Sequence, residues 1–268
     1  LQRIGAFKFR GACNAVQALD ATAAARGVVT HSSGNHGAAL ALAARERGIP
    51  AHVVVPEGAN AVKLAAIEAY GATVHRCAAT LAAREATAAR VLAETGATLV
   101  HPYADPFVVA GQGTAALELL SEAGPLDALV TPLGGGGLTA GTALVAAARG
   151  GAPVFGAEPA GAADAFESLR QGRHVTDLVP DTLCDGLRAT VGSPNLALMQ
   201  QLGVQALLAS DDEVVAAMRL LWGRLKQVVE PSAAIALAVV LKHPEHFAGK
   251  RVGLILSGGN VDLDALPW

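Results

Sequence analysis

Short β-branched runs alternate along the chain with alanine-rich stretches whose apolar positions recur at helical spacing. Gly27-Val28-Val29-Thr30 reads as a strand, and a helix is predicted over 35–47, ended by Gly48. Ala51–Val55 forms the next strand before Pro56. The unit then repeats: helix over 63–70, strand over 72–75, helix over 80–94, strand over 98–100. Beyond His101-Pro102 come a helix over 112–122, a strand over 128–131, a glycine loop, a helix over 138–149 and a strand over 154–157. Residues 158–210 are less regular and richer in polar turns. Helices over 211–226 and 232–242 and a strand over 252–256 close the pattern. Such alternation predicts an α/β fold with parallel strands and helices on both faces. Two lobes sharing a cleft fit better than one very wide sheet. Residues 28–100 are the expected small lobe, with 1–27 and 101–268 forming the large one.

Composition narrows the function. At 268 residues, 52% hydrophobic and 16% charged, the chain can bury a sizeable core and is not disordered. A net charge of −3 argues against a nucleic-acid binder, which would show a basic face. Cys13, Cys77 and Cys184 stand far apart, so neither a disulfide framework nor a zinc site is expected, and a reducing, cytoplasmic setting fits. The stretch Ala128–Ala148 is uncharged and long enough to cross a bilayer. Pro132 and four consecutive glycines interrupt it, so it reads as strand, loop and helix, and no membrane association is expected.

Four clusters carry chemistry. Gly134-Gly135-Gly136-Gly137 follows a strand and opens a helix, where consecutive N–H groups and the helix N-terminus make an anion site, most simply for phosphate. The loop is not GxxxxGK[ST] and lacks GxGxxG spacing, and a plain strand–helix turn is the alternative. Lys8 lies among Ala6, Phe7 and Phe9 beside Arg10; apolar surroundings and a second cation depress an amine's pKa, although a snorkelling helix lysine would look similar. Ser32-Ser33-Gly34-Asn35-His36-Gly37 places hydroxyls and an amide at a helix start, suited to a carboxylate or to simple capping. Ser257 follows an apolar strand, the end of an α/β sheet at which ligands bind. A phosphate cup, an isolated lysine, a carboxylate loop and a terminal hydroxyl are together what pyridoxal phosphate and an amino acid require. A non-catalytic phospholigand-binding protein is the reading from another class, and Lys8 speaks against it.

The segments GAFKFRGA, SSGNHG, GGGGL, EPSAA and LSGGNVDL, in this order, resemble the serine/threonine dehydratase and serine racemase family of fold-type II pyridoxal-phosphate enzymes over essentially the whole chain. The resemblance implies a two-lobed fold with the cofactor in the cleft and Lys8 as the Schiff-base lysine. It places Phe7 and Gly186 against the two faces of the cofactor ring, Asn35 at the ring hydroxyl, Gly134 to Gly137 around the phosphate and Ser257 at the pyridine nitrogen. Ser32, Ser33, Asn35, His36 and Arg84 would meet the substrate, with Ser33 the acid/base opposite Lys8. Glu158, the Ala162 carbonyl and Asp164 match a divalent-cation site, and oxygen ligands suit Mg²⁺ or Ca²⁺. The implied activity is dehydration of threonine or serine, with serine racemase and 3-hydroxyaspartate or hydroxyectoine-pathway dehydratase as rivals. A homodimer is implied.

Departures from the family pattern are Ala6, where many relatives carry serine, and Tyr103, where racemases carry a smaller polar residue. The family's opening strand and helix are expected ahead of Leu1. Feedback control by an appended regulatory domain is not expected.

Overall fold

The computed structural model describes residues 2–32, 34–59 and 61–268. The chain runs α1 (Lys8–Ala18), α2 (Ala21–Arg26), β1 (Val28–Thr30), α3 (Asn35–Arg47), β2 (Ala51–Pro56), α4 (Ala61–Ala69), β3 (Thr73–Cys77), α5 (Leu81–Thr95) and β4 (Thr98–Leu99). After α6 (Pro106–Ala123) follow β5 (Ala128–Pro132), α7 (Gly137–Ala148), β6 (Val154–Pro159), α8 (Asp164–Gln171), α9 (Ser193–Gln201) and β7 (Gln205–Ala209). The last elements are α10 (Asp211–Leu225), α11 (Pro231–Lys242), α12 (Pro244–Phe247) and β8 (Val252–Leu254). Two compact units result, Leu1–Gly111 and Gln112–Trp268, with the boundary inside α6.

Local chemistry sets the helix ends. Asp20 accepts the Ala23 N–H at 2.8 Å to cap α2, and Thr80 accepts that of Ala83 at 3.1 Å to cap α5. Ser210 and Glu213 form a reciprocal capping box on α10. Gly48 ends α3 in the left-handed region at φ 71°, as its position after the last apolar turn predicts.

Each unit holds one four-stranded, all-parallel sheet. The first has the order β3-β2-β1-β4, with Val28 opposite both Ala51 and Thr98. The second has the order β7-β6-β5-β8, with Val130 opposite Phe155 and Leu254. Alternation along the strands divides the first unit's core. Val28 and Ala51 pack with α1 and α3, Val53 and Val55 with α3 and α4, and Val29 and Val54 with α5 on the other face. In the second unit α10 and α11 cover Val130, Phe155, Ala157 and Leu207. This is the expected α/β architecture.

Three stretches depart from the pattern read in the sequence. Residues 158–210 contain α8, α9 and β7, and β7 completes the second sheet although Gln205-Ala206-Leu207-Leu208-Ala209 has no β-branched residue; pairing with β6 overrides its weak propensity. Helix α6 starts at Pro106, earlier than 112, because Asp105 accepts the N–H groups of Phe107 (2.8 Å) and Val108 (3.0 Å) and proline suits a first helical position. Residues 8–26 form two helices that the pattern leaves unassigned. No helix among the described residues is long and apolar enough to cross a membrane.

Ile235 on α11 is fully buried in the cluster that joins this helix to β5, β6 and α10. Ile235→Ala is expected to lower the unfolding free energy by about 2–5 kcal/mol, read from the midpoint of chemical denaturation.

Candidate active site

In an open parallel sheet, loops leaving the carboxyl ends of strands diverge where the strand order turns back, and ligands bind there. That point lies between β1 and β4 in the first sheet and between β5 and β8 in the second. His31 and Ser32 leave β1, and His101-Pro102 follows β4. In the other unit the four glycines leave β5 and Ser257 follows β8. The motif residues therefore sit at the ligand-binding position of their own sheet.

In the first unit Lys8 opens α1, with Phe7 as its N-cap residue. Its amine donates to the Pro102 carbonyl at 2.8 Å and lies 5.2 Å from the Phe7 ring centroid. Burial lowers its pKa to about 8, because the charged form loses hydration without gaining a carboxylate. Three imidazoles stand nearby. His36, 2% exposed, directs Nε2 to the Val100 carbonyl at 3.3 Å; a carbonyl only accepts, so the proton is on Nε2. His101 Nδ1 accepts the N–H groups of Tyr103 (3.4 Å) and Ala104 (3.0 Å), which puts its proton on Nε2 as well. The His101 ring stands edge-on to His31 at 5.4 Å and to Tyr103 at 4.6 Å.

All three imidazoles are held neutral. Burial lowers His101 to about 4, and its neighbours His31 and Lys8 oppose a further positive charge there. Burial and then the Lys8 charge keep His36 well below its ordinary value. Burial and then the Arg84 guanidinium lower His31. Arg84 projects from α5, and its Nε is buried without a hydrogen-bond partner. Asn35 is the first residue of α3 and Gly34 its N-cap, so Asn35 is not the cap. A Cβ on Gly37 would collide with the Ser32 carbonyl, which explains the second glycine of the motif. Ser33 lies outside the described residues.

In the second unit the glycine loop is built for close approach. Gly136 adopts φ 85° as the N-cap of α7, and a Cβ on Gly134 would come within 2.9 Å of Leu187 Cα. No side chain caps α7, so its first N–H groups are available to an anion. The loop is braced from behind: Gly135 O accepts the Gly192 N–H (3.1 Å) and Asn195 Nδ2 (2.7 Å). Ser257, 4% exposed, donates to the Ser232 carbonyl at 3.5 Å, and the Ser232 hydroxyl accepts the Gly186 N–H at 3.0 Å. Asn195, His31 and His101 escape motif reading, and Ser232 lies in the EPSAA segment with no role read for it. For the two histidines, position directly after a strand was the available signal.

Glu158 on β6 is fully buried and accepts the N–H groups of Ala165 (2.8 Å) and Phe166 (2.7 Å) at the start of α8. Burial pushes its pKa up to about 8, although these two bonds pull the other way. Asp164 accepts the Val191 N–H at 2.8 Å and is likewise raised by burial. Ala162 is buried in the short 3-10 turn between them. Among the described residues, no three His, Cys, Asp or Glu side chains are grouped to hold a metal ion.

Comparison with known proteins gives the family and the fold. Residues 1–258 match the family model described as pyridoxal-phosphate dependent enzyme. The chain belongs to the pyridoxal-phosphate dependent enzymes. It is 48% identical to the beta-hydroxyaspartate dehydratase of Paracoccus denitrificans (strain Pd 1222), over all of this chain and 85% of that protein. Maize serine racemase superposes with a TM-score of 0.95 at 42% identity, over 98% of this chain and 82% of the other. Serine racemase from Dictyostelium discoideum does so with a TM-score of 0.93 at 47% identity, over 98% and 86%. The architecture is that of fold-type II members. Pyridoxal phosphate is the cofactor of this family, and the residues fit it: a side-chain-free anion cradle at a helix start and a desolvated amine.

The Glu158 shift carries a pH signature. Its folded pKa of about 8 exceeds the ordinary 4.5, so the folded state binds the proton more tightly, and stability falls as pH rises between these values. Glu158→Gln removes this contribution. The melting temperature of the wild type, measured without divalent cations, is expected to drop more steeply from acidic to mildly alkaline pH than that of the variant.

Proposed function

We propose that the chain is an ammonia-lyase that dehydrates β-hydroxy α-amino acids to a 2-oxo acid and ammonia. The observation that carries this reading is the desolvated Lys8 amine held on the Pro102 carbonyl at the carboxyl end of β4. Bound pyridoxal phosphate supplies the electron sink that lets the Cα proton leave. Lys8, with its pKa near the working pH, takes that proton, and the ammonium so formed donates to the Pro102 carbonyl. The β-hydroxyl departs as water with the proton that Lys8 took from Cα, and the released enamine adds water and loses ammonia to give the 2-oxo acid.

In this reading Gly134 to Gly137 hold the phosphate, Asn35 the ring hydroxyl and Ser257 the pyridine nitrogen, with Phe7 and Gly186 against the ring. A neutral serine does not force the ring to stay protonated as a carboxylate would, which favours rapid elimination over chemistry needing a long-lived carbanion. Ser32 and Asn35 take the substrate α-carboxylate, and Ser33 is the acid/base on the opposite face of Cα. Residues 28–100 act as the small domain, and 1–27 with 101–268 as the large one. Mg²⁺ or Ca²⁺ would be held by Glu158, Asp164 and the Ala162 carbonyl. The buried carboxylates, each with lone pairs left after their N–H bonds, suit a hard cation that keeps them ionised.

A second observation bears on the substrate. The buried Arg84 Nε has no protein partner and stands beside His31, so this corner of the first unit favours a substrate with a second carboxylate, as in 3-hydroxyaspartate.

Borohydride treatment of the holoenzyme followed by peptide mapping is expected to place a pyridoxyl group on Lys8, and threonine, serine and 3-hydroxyaspartate are then assayed for 2-oxo acid. A reduced adduct elsewhere, or turnover to the D-amino acid alone on chiral analysis, overturns the lyase assignment.

Arg84→Gln is expected to lower kcat/KM for 3-hydroxyaspartate about 100-fold while changing that for serine less than about threefold, in line with one charged hydrogen-bonding contact of roughly 3 kcal/mol. Equal losses on both substrates would place Arg84 elsewhere.

A further inference from the structure

His36 presents an unexplained polar atom. Its Nε2–H is committed to the Val100 carbonyl, which leaves Nδ1 as a lone-pair acceptor, and this buried atom has no hydrogen-bond partner. Buried acceptors are nearly always satisfied, so a donor is missing. The backbone indicates which one. Lys8 is anchored on Pro102 O and His36 on Val100 O. Only His101 separates these two anchoring residues, and a turn begins at Pro102. The two side chains are thus anchored on the same short segment, two residues apart. The titratable groups facing His36 are Lys8 from α1, then His101 after β4 and His31 after β1, and Lys8 acts most strongly. An ammonium has three donors, of which Pro102 uses one.

We propose that His36 Nδ1 is a second acceptor for the Lys8 amino group, which makes His36 the positioning residue that keeps a proton on Lys8. This replaces the substrate contact expected of His36 and rests on the assignment of Lys8 as the proton-accepting lysine. When Lys8 takes the Cα proton, the new ammonium is shared between the Pro102 carbonyl and the imidazole. No bond to His36 forms or breaks, and the imidazole keeps its proton on Nε2.

Two amide substitutions separate this role from a structural one. His36→Gln reaches the Val100 carbonyl and lacks an acceptor near Nδ1. His36→Asn offers an oxygen near Nδ1 and gives up the Val100 bond. The measurement is competitive acetylation of Lys8 in the full-length protein freed of cofactor, followed by mass spectrometry across the neutral to alkaline range. The Lys8 titration is expected to move down by about one pH unit in His36→Gln, since a charge-assisted bond is lost, and to stay at the wild-type position in His36→Asn. A purely structural histidine predicts the reverse order. The proposal is overturned if both variants titrate as the wild type, if both shift equally, or if only His36→Asn shifts. Borohydride labelling of the wild-type holoenzyme separates the two levels. An adduct on Lys8 with the wrong variant order removes only the role of His36, whereas no adduct on Lys8 removes the lyase reading and this inference together.

Discussion

Because β1 and β5 each pair with their successor on one side and with the last strand of their sheet on the other, the loops leaving β1 and β4, and those leaving β5 and β8, emerge as neighbours at one sheet end. Nearly everything chemical in this chain follows from that reversal. It brings His31 beside His101 and gives Lys8 a carbonyl to rest on. In the other unit it sets a cradle of glycines next to a buried serine hydroxyl. The two sheets repeat one strand order with different loops, so a single topological rule yields an amine corner in one and an anion corner in the other.

Desolvation then acts in opposite senses on the two kinds of ionisable group. It lowers Lys8 to about 8 and raises Glu158 to about 8, each time disfavouring the charged form. For Lys8 the outcome is a usable fraction of free amine near neutral pH, as proton abstraction requires. Glu158 has two backbone N–H donors that suit a carboxylate, and these only partly offset its burial. In the proposed reading the first shift serves chemistry directly. The second leaves a buried acid whose ionisation a hard cation would complete.

Strands with β-branched residues, such as Val28–Thr30 and Ala51–Pro56, and helices closed by glycine were legible because local preference and tertiary role coincide there. Strand β7 was not, since its leucines and alanines are equally at home in a helix and only pairing with β6 decides. The same division runs through the site. Glycine runs and the lysine motif announce themselves because the backbone or an unusual neighbourhood demands them. Asn195 and Ser232 act through hydrogen bonds to segments 60 and 46 residues away, and no local pattern encodes such a partner. Glu158 and Asp164 were visible as acidic residues, while their engagement by α8 and by Val191 came only with the fold.

The three neutral imidazoles around Lys8 acquire a common meaning in this setting. Were they protonated, their charges would depress the Lys8 pKa further and make it a poor holder of the abstracted proton. Kept neutral by burial, they leave the amine's affinity to be set by what enters the site. A substrate carboxylate brings negative charge into a region where Lys8 and Arg84 are the cations, and an opposite charge nearby raises an amine's proton affinity. If Lys8 is the proton acceptor proposed above, binding and proton acceptance are coupled with the right sign. In the proposed reading, a seated carboxylate would help the released Lys8 amine to retain a proton. A second carboxylate would strengthen this coupling, so a dicarboxylic substrate changes the energetics of the step as well as the affinity.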